Sequence, residues 1–334
     1  MSARQPSIHR RADLLARGLT DSEVRVLVRR GALVRLCTGA YAVNDELAEL
    51  SDEGRYAVRV RAVAGRSDGL VVSHTSAAVL YELPLMSFDT SRVELTRPGR
   101  GGHRSTPDRV VHAGEIPTDQ IVRIGGLTVT SPARTVVDVA RTRAGALPVA
   151  LADAALQRGL VSPDELVGTL ARAAHQRGVP AAWRGLGRVD GRAESPGETL
   201  TRLLLLDQGL TGIELQIEVR DVRGVLVGRA DLECPEHGVL IEFDGRVKYQ
   251  GLLRPGQSVA DAVLAEKARE ERLSELGWLV LRVTWGDLAR PSVLAQRVRT
   301  ACAARHRLVL AGGLRGSATP RSPLGLGRSG PLRH

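Results

Sequence analysis

The spacing of apolar residues changes period several times along this chain, and each change predicts an element. Residues 9–17 read as a short helix closed by Gly18, a favoured residue just past a helix end. Thr20-Asp21-Ser22-Glu23 follows with capping-box spacing. Val24, Leu27 and Val28 then fall on one face of a second helix, with Arg25, Arg29 and Arg30 beside or opposite them. Gly31 stops that helix, and residues 33–36 and 40–43 read as two strands of a hairpin. Helix, tight turn, helix and hairpin is the order of a winged helix-turn-helix, whose second helix enters the major groove while the wing touches backbone.

In the middle of the chain Ser73 is positioned to cap a helix over residues 74–83, ended by Pro84. Short strands are expected around residues 92–96, 109–112, 121–124 and 127–130. Ser131-Pro132 then starts a helix to about residue 143, with proline at the first helical position. The glycine-rich basic stretch 97–104 reads as a solvated hairpin tip, Ser162-Pro163-Asp164-Glu165 opens another capped helix, and residues 184–192 read as a linker. Beyond it, Ser195-Pro196-Gly197-Glu198 opens a helix to residue 208. Strands follow at 214–220, 226–233 and 239–244, then a long amphipathic helix over 258–276, an apolar strand over 278–283 and a last helix over 285–304. The tail, residues 312–334, is rich in Gly, Ser, Pro and Arg, carries no acid, and is expected to be disordered.

Composition narrows the classes. The 334 residues are 43% hydrophobic and 25% charged, which is globular. A net charge of +10 makes a polyanion the first partner to consider. Only Lys248 and Lys267 are lysine, so 45 of the 47 basic residues are arginine. Three widely separated cysteines, Cys37, Cys234 and Cys302, exclude a Cys-x-x-Cys zinc module and fit a reduced, cytoplasmic setting. No run approaches 18 apolar residues, no secretory signal is visible, and neither a dinucleotide fingerprint nor a phosphate loop is present.

Residues 1–41 hold eight arginines against three acids, enough to steer toward phosphate; the bland alternative is an ordinary solvated helix face. Arg25, Arg29, Arg30 and Arg35 are the candidate DNA contacts. The stretch from Gly18-Leu19-Thr20 through Val28-Arg29-Arg30-Gly31 to Thr38-Gly39-Ala40-Tyr41-Ala42 resembles the N-terminal domain of AbiEi-type antitoxins of type IV toxin–antitoxin systems. Ser73-His74-Thr75-Ser76-Ala77-Ala78 and Ser131-Pro132-Ala133-Arg134-Thr135 resemble the segment that follows in those proteins. That resemblance implies DNA binding, transcriptional autoregulation and a cognate toxin.

The hairpin between residues 229 and 244 carries the other candidate site. A turn centred between Glu236 and His237 sets Asp231 opposite Glu242 and Leu232 opposite Ile241. Asp231, Glu242 and Asp244 then share one face while Leu232, Ile241 and Phe243 pack inward. Opposed carboxylates repel and need compensation, from a divalent cation with oxygen ligands or from Arg229, which the same register places opposite Asp244. Asp231, ten residues, then Glu242-Phe243-Asp244-Gly245 resembles the core of PD-(D/E)XK nucleases, in the Vsr-like group. Glu198, the Glu266-Lys267-x-Arg269-Glu270 helix and Gly277-Trp278 match as well. The resemblance implies that Asp231 and Glu242 hold Mg²⁺ or Mn²⁺, which activates water for phosphodiester hydrolysis. Asp244 stands where that group carries a lysine, leaving Lys248 or Lys267 to supply the cation. Glu198 reads equally as a cap for its own helix or as an assisting acid.

The expected fold is therefore mixed α+β in four parts: a winged helix-turn-helix over residues 1–50, an α/β middle region over 55–185, a restriction-endonuclease-like α-β-β-β-α-β core over 193–311, and the basic tail. The expected function is a DNA-binding protein with a Mg²⁺-dependent endonuclease-like domain, in defence or toxin–antitoxin context. The alternative is an antitoxin-like transcriptional regulator with an inactive nuclease fold. Double-stranded DNA, a cognate toxin and a second copy of the chain are the expected partners, and no membrane.

Overall fold

The computed structural model describes residues 6–86, 89–99, 101–234, 237–245 and 259–322. The chain divides into two compact units, Met1–Leu151 with Leu160–Trp183, and Ala152–Gly159 with Arg184–His334. The described residues form a mixed α+β architecture with 13 α-helices and three sheets. No helix among them is long and apolar enough to cross a membrane.

The first unit opens with β1 (His9–Arg10), α1 (Arg11–Ala16), α2 (Asp21–Arg29), β2 (Leu33–Cys37) and β3 (Ala40–Val43). The start of the first helix differs from expectation because His9 and Arg10 pair with Tyr41 and Ala40, adding a third strand to the hairpin in the order β1-β3-β2. Thr20 and Glu23 form the full capping box of α2. Gly18 and Gly31 adopt φ of +92° and +73°, which allows the chain to leave α1 and α2 within one residue. Leu14, Val24 and Leu33 are the small core that holds helices and hairpin together.

Helices α3 (Asn44–Ala48) and α4 (Asp52–Ala64) lead into a six-stranded mixed sheet. Its strands are β4 (Val71–Val72), β5 (Val93–Pro98), β6 (Arg104–Ser105), β7 (Arg109–Gly114), β8 (Ile121–Ile124) and β9 (Leu127–Thr130), in the order β6-β7-β5-β4-β9-β8. The helices of this region are α5 (His74–Leu80), α6 (Pro132–Thr142), α7 (Leu147–Gln157), α8 (Pro163–Arg172) and α9 (Val179–Leu186). Ser131 and Ser162 cap α6 and α8 as their sequences predict. Ser73 precedes α5 but does not cap it: its hydroxyl accepts from Thr96 at 2.7 Å and lies 2.9 Å from Nδ1 of His74. Around it sits a buried polar network. His74 has φ +53° and stacks on His112 at 3.8 Å between centroids. Burial pushes the His74 imidazole down to about 4. Glu94 accepts from Thr75, His112 and Arg143. Burial opposes the Glu94 charge, but these hydrogen bonds and the neighbouring charges hold its carboxyl at about 2.

The second unit is built on α10 (Pro196–Asp207), β10 (Glu214–Arg220), β11 (Leu226–Cys234), β12 (Val239–Asp244), α11 (Val259–Glu275), β13 (Leu279–Thr284), α12 (Trp285–Leu288), α13 (Pro291–Leu310) and β14 (Ser317–Pro320). The sheet order is β13-β12-β11-β10-β14, antiparallel except for β12 with β13. Apolar residues line both faces: Leu215, Leu232, Ile241 and Phe243 with Leu205 and Leu294 on one, Ile217, Ala230 and Leu240 with Leu273 and Trp278 on the other. Helices therefore cover both faces, giving three layers. Two expectations fail here. Residues 317–320 of the tail are ordered as β14, because the free edge of β10 offers backbone partners from Ile217 to Arg220. Residues 184–192 are not a bare linker: Arg192 is buried and binds Asp190, Glu214 and the carbonyl of Arg321.

Candidate functional site

The second helix, α2, presents Arg25, Arg29 and Arg30 to solvent, with Arg35 exposed on β2. Among the described residues none of the four forms an ion pair, although Arg25 bonds Ser22 and Arg35 bonds Thr38 and the Cys37 carbonyl. The capping box relieves the free N–H groups at the start of α2 and so fixes where the helix begins. Arg11 on α1 grips Asp21 with both Nε and Nη2, tying the two helices together and holding the Asp21 carboxyl below its usual range. An ion pair thus joins the two helices, and the exposed arginines of α2 stay outside the ion pairs of the described residues.

In the second unit the register between β11 and β12 is the expected one, Leu232 opposite Ile241 and Glu233 opposite Leu240. The described ladder stops at Leu232. One step on, Asp231 turns its carboxylate to the neighbouring strand and accepts the N–H of Phe243 at 2.8 Å. Leu215 and Ile217 lie in opposite cores although they are two residues apart, and so do Leu232 and Ala230. Alternation is thus broken at Gln216, which has φ +52°, and at Asp231. Of the predicted turn, centred between Glu236 and His237, residues 235 and 236 lie outside the described residues.

That break brings Glu198 into the cluster. Ser195 caps α10 by accepting the Glu198 N–H. The Glu198 side chain takes three donors: the Glu194 N–H at 2.9 Å, Nε2 of Gln216 at 2.8 Å and the Ser195 hydroxyl at 2.7 Å. Glu198 is 4% exposed. Burial first, and the charge of Asp231 second, push its carboxyl up to about 7. Glu198 therefore closes the start of its own helix and also lies in the field of Asp231.

Glu242 is met by an arginine. Nη2 of Arg269, on α11, lies 2.7 Å from its Oε1. Arg269 also bonds Glu266 through Nε and Nη2 and donates to the Arg229 carbonyl at 3.0 Å. Burial raises the Glu242 carboxyl above the usual range, with Glu266 and Asp231 acting the same way against Arg269. Burial works against the Arg269 charge, yet Glu266 and Glu242 together hold its guanidinium above its ordinary value.

The remaining predicted residues disperse. Asp244 ends β12 opposite Thr284. Lys267 is exposed on α11, while Glu266, Arg269 and Glu270 are half-buried. Lys248 lies outside the described residues. Arg229 does not serve Asp244: it binds Glu194 at 2.8 Å and Oε1 of Gln216 at 2.5 Å. Two side chains central to the site had no role assigned from sequence, Gln216 and Arg269. A glutamine at a buried strand position between Leu215 and Ile217 was the available signal for the first.

The donors test poorly against a divalent metal. Among the described residues no three His, Cys, Asp or Glu side chains are arranged to hold one. Glu242 is engaged by a guanidinium, Asp231 by a backbone N–H and Glu198 by three donors. The residues as they stand do not fit the ion.

The family model of the AbiEi antitoxin C-terminal domain matches residues 71–187. Two uncharacterised proteins of Mycobacterium tuberculosis, MT2308 of strain CDC 1551 / Oshkosh and Rv2248 of strain ATCC 25618 / H37Rv, are each 30% identical over 289 residues, 86% of this chain and 97% of theirs. The crystal structure of the RV2827C protein from the same species is similar over 59% of this chain and 76% of that one, at 20% identity and a TM-score of 0.36.

Proposed function

Since the chain belongs to the family of the M. tuberculosis proteins MT2308 and Rv2248 and carries an AbiEi antitoxin C-terminal domain, we propose that it is a DNA-binding regulator of the toxin–antitoxin type whose second unit is a nuclease-like fold with its acids neutralised from within. The observation that carries the DNA reading is the capped helix α2 with Arg25, Arg29 and Arg30 exposed and free of ion pairs. On this reading α2 lies in the major groove, Arg35 on the hairpin meets a phosphate, and the helix arginines supply charge and base contacts. A cognate toxin and a second copy of the chain on a two-fold site are the partners that follow, in the cytoplasm.

Arg269 carries the second half of the proposal. A carboxylate paired with a half-buried guanidinium at 2.7 Å has its charge compensated without a metal ion. The competing reading, a Mg²⁺- or Mn²⁺-dependent endonuclease, is favoured by the meeting of Glu198, Asp231 and Glu242 in one field.

Two assays test the proposal, the second of which separates it from the endonuclease. In fluorescence anisotropy on a labelled duplex, Arg25→Ala with Arg29→Ala should weaken binding of the full chain and flatten the slope of log K against log salt by about 0.9 per lost phosphate contact. Unchanged binding and slope would remove α2 from the interface. In a plasmid-nicking assay with millimolar Mg²⁺ or Mn²⁺ the wild type should leave the plasmid supercoiled. Nicking that Asp231→Asn abolishes would establish the endonuclease instead.

A further inference from the structure

A cleft of about 960 Å³ in the first unit is lined by the wing strand β2 and by helix α4, with Arg35, Arg55 and Arg59 in its walls. Leu36, Leu47 and Leu85, all buried, give it an apolar side. Arg59 is half-buried, and among the described residues it makes no hydrogen bond and no ion pair; its Nε is shut off from water with no acceptor. We infer that this cleft binds an organic phosphate of nucleotide size, that Arg59 and Arg35 take the phosphate, and that the ligand competes with DNA for Arg35.

The three guanidinium groups are not equivalent. Arg55 is committed to the fold: it donates to the Leu47 carbonyl at 3.0 Å and to that of Ala48 at 3.4 Å, and it pairs with Asp52 at 3.3 Å. Arg35 bonds only neutral oxygens, the Cys37 carbonyl and the Thr38 hydroxyl, and forms no ion pair among the described residues. Two acids also line the cleft; Asp52 is held by Arg55, and Glu53 is exposed. Arg35 and Arg59 therefore keep charge that no carboxylate answers. A half-buried guanidinium without an acceptor is destabilising, and an anionic oxygen brought into the cleft offsets that. Phosphate suits the planar fork, which can donate two parallel hydrogen bonds to it. The cleft lies at the upper end of small-molecule sites, roughly 300–1,000 Å³, and is larger than inorganic phosphate needs. Its apolar side suits a base or sugar attached to the phosphate.

The competition rests on the DNA reading above, in which Arg35 meets a phosphate of the duplex. One guanidinium cannot give its full strength to a duplex phosphate and to a ligand phosphate in the cleft. Ligand in the cleft then lowers the affinity for DNA, and DNA lowers the affinity for the ligand by the same factor.

The test follows the anisotropy of a fluorescent ribose ester of ADP, N-methylanthraniloyl-ADP, mixed with the full chain. The expected result is saturable binding that inorganic pyrophosphate competes away and adenosine does not. Arg59→Gln, checked for folding by circular dichroism, should weaken the probe about tenfold or more. Arg35→Gln, a change at an exposed side chain, should weaken it as well and serves should Arg59→Gln fail to fold. On a labelled duplex, saturating ADP should weaken the wild type about fivefold. Arg59→Gln should keep wild-type affinity for that duplex and lose most of the response to ADP. A probe that does not bind at millimolar concentration, or binds wild type and both variants alike, would overturn the inference. Competition by adenosine equal to that by pyrophosphate would overturn it too, since the apolar side and not the phosphate would then hold the ligand. So would loss of duplex affinity in Arg59→Gln without probe binding, which would put the DNA backbone in the cleft. Probe binding that needs Arg59, in a chain that binds no duplex, would uphold the phosphate site and strike the DNA reading alone.

Discussion

Glu198 offers the sharpest quantitative test of the acid cluster. Its carboxyl is pushed up to about 7 from an ordinary 4.5. A raised folded-state pKa means that the folded chain holds the proton more tightly than the unfolded one. The stabilisation is complete below about 4.5 and is lost as pH rises through 7. At about 1.4 kcal/mol per unit, the loss between pH 5 and pH 8 from this one side chain reaches about 2.5 kcal/mol. Glu198→Gln removes the titration and keeps the shape. The amide oxygen can accept from the Glu194 N–H and from Gln216, and the amide nitrogen can donate to the Ser195 hydroxyl, the same three partners the acid has. The variant should match the wild type at pH 5 and exceed it by about 2 kcal/mol at pH 8. Urea unfolding followed by tryptophan fluorescence, with Trp278 and Trp285 both in the second unit, reads the difference. Glu233, pushed to about 7 by burial, and Asp153, pushed to about 6, titrate in both proteins and cancel. Equal pH slopes for variant and wild type would refute the reasoning, as would a variant less stable at pH 8.

Three further outcomes are expected. Arg269→Met leaves the half-buried Glu242 without its cation and should cost about 3 kcal/mol at pH 8 and less at pH 5, where Glu242 takes up a proton; adding Glu242→Gln should restore most of it in the same urea assay. Glu94→Gln in the first unit should destabilise at pH 7 by about 3 kcal/mol but not near pH 2, because a carboxyl held at about 2 stabilises only above the unfolded value and loses that as pH falls; acid titration by circular dichroism checks it. Gly197→Ala sets a Cβ 2.0 Å from the Phe243 ring and should lower the melting midpoint, by about 1–3 kcal/mol of overpacking.

How far the sequence alone carried depends on how local each determinant is. The strands Glu214–Arg220 and Val239–Asp244 were legible to the residue, because their apolar spacing and flanking turns are local signals. The capping boxes at Thr20 and Ser162 were legible for the same reason. The expected register of Leu232 on Ile241 also holds. The acid site was legible as an inventory of carboxylates and not as a set of partners. Nothing near Gln216 announces a left-handed backbone, and Arg269 meets Glu242 across 27 positions of chain. Strand β14 was missed because its sequence, Ser317-Ala318-Thr319-Pro320, has no strand signal of its own and is ordered by the edge of β10. The left-handed φ of His74 and its stacking on His112 arise from the fold around Glu94, with no local signal for either.

The scarcity of lysine bears directly on what the acid cluster can do. A lysine beside two carboxylates is a compact charge that can give up a proton when desolvated; an arginine is not. Arg269 forks between Glu242 and Glu266, and Arg282 bridges Glu266 to Glu270, so the acids of α11 and β12 are stitched into one network. Such a network needs no ion to keep the sheet from repelling itself. A cluster already compensated gains little from a divalent cation, whereas one stripped of its arginine gains RT ln(1 + [L]/Kd) from any cation it then binds. Millimolar Mn²⁺ should therefore raise the melting midpoint of Arg269→Met and leave that of the wild type unmoved. A wild type that rises as far as the variant would mean that Arg269 yields to metal, and the regulator reading of the second unit would give way to the nuclease.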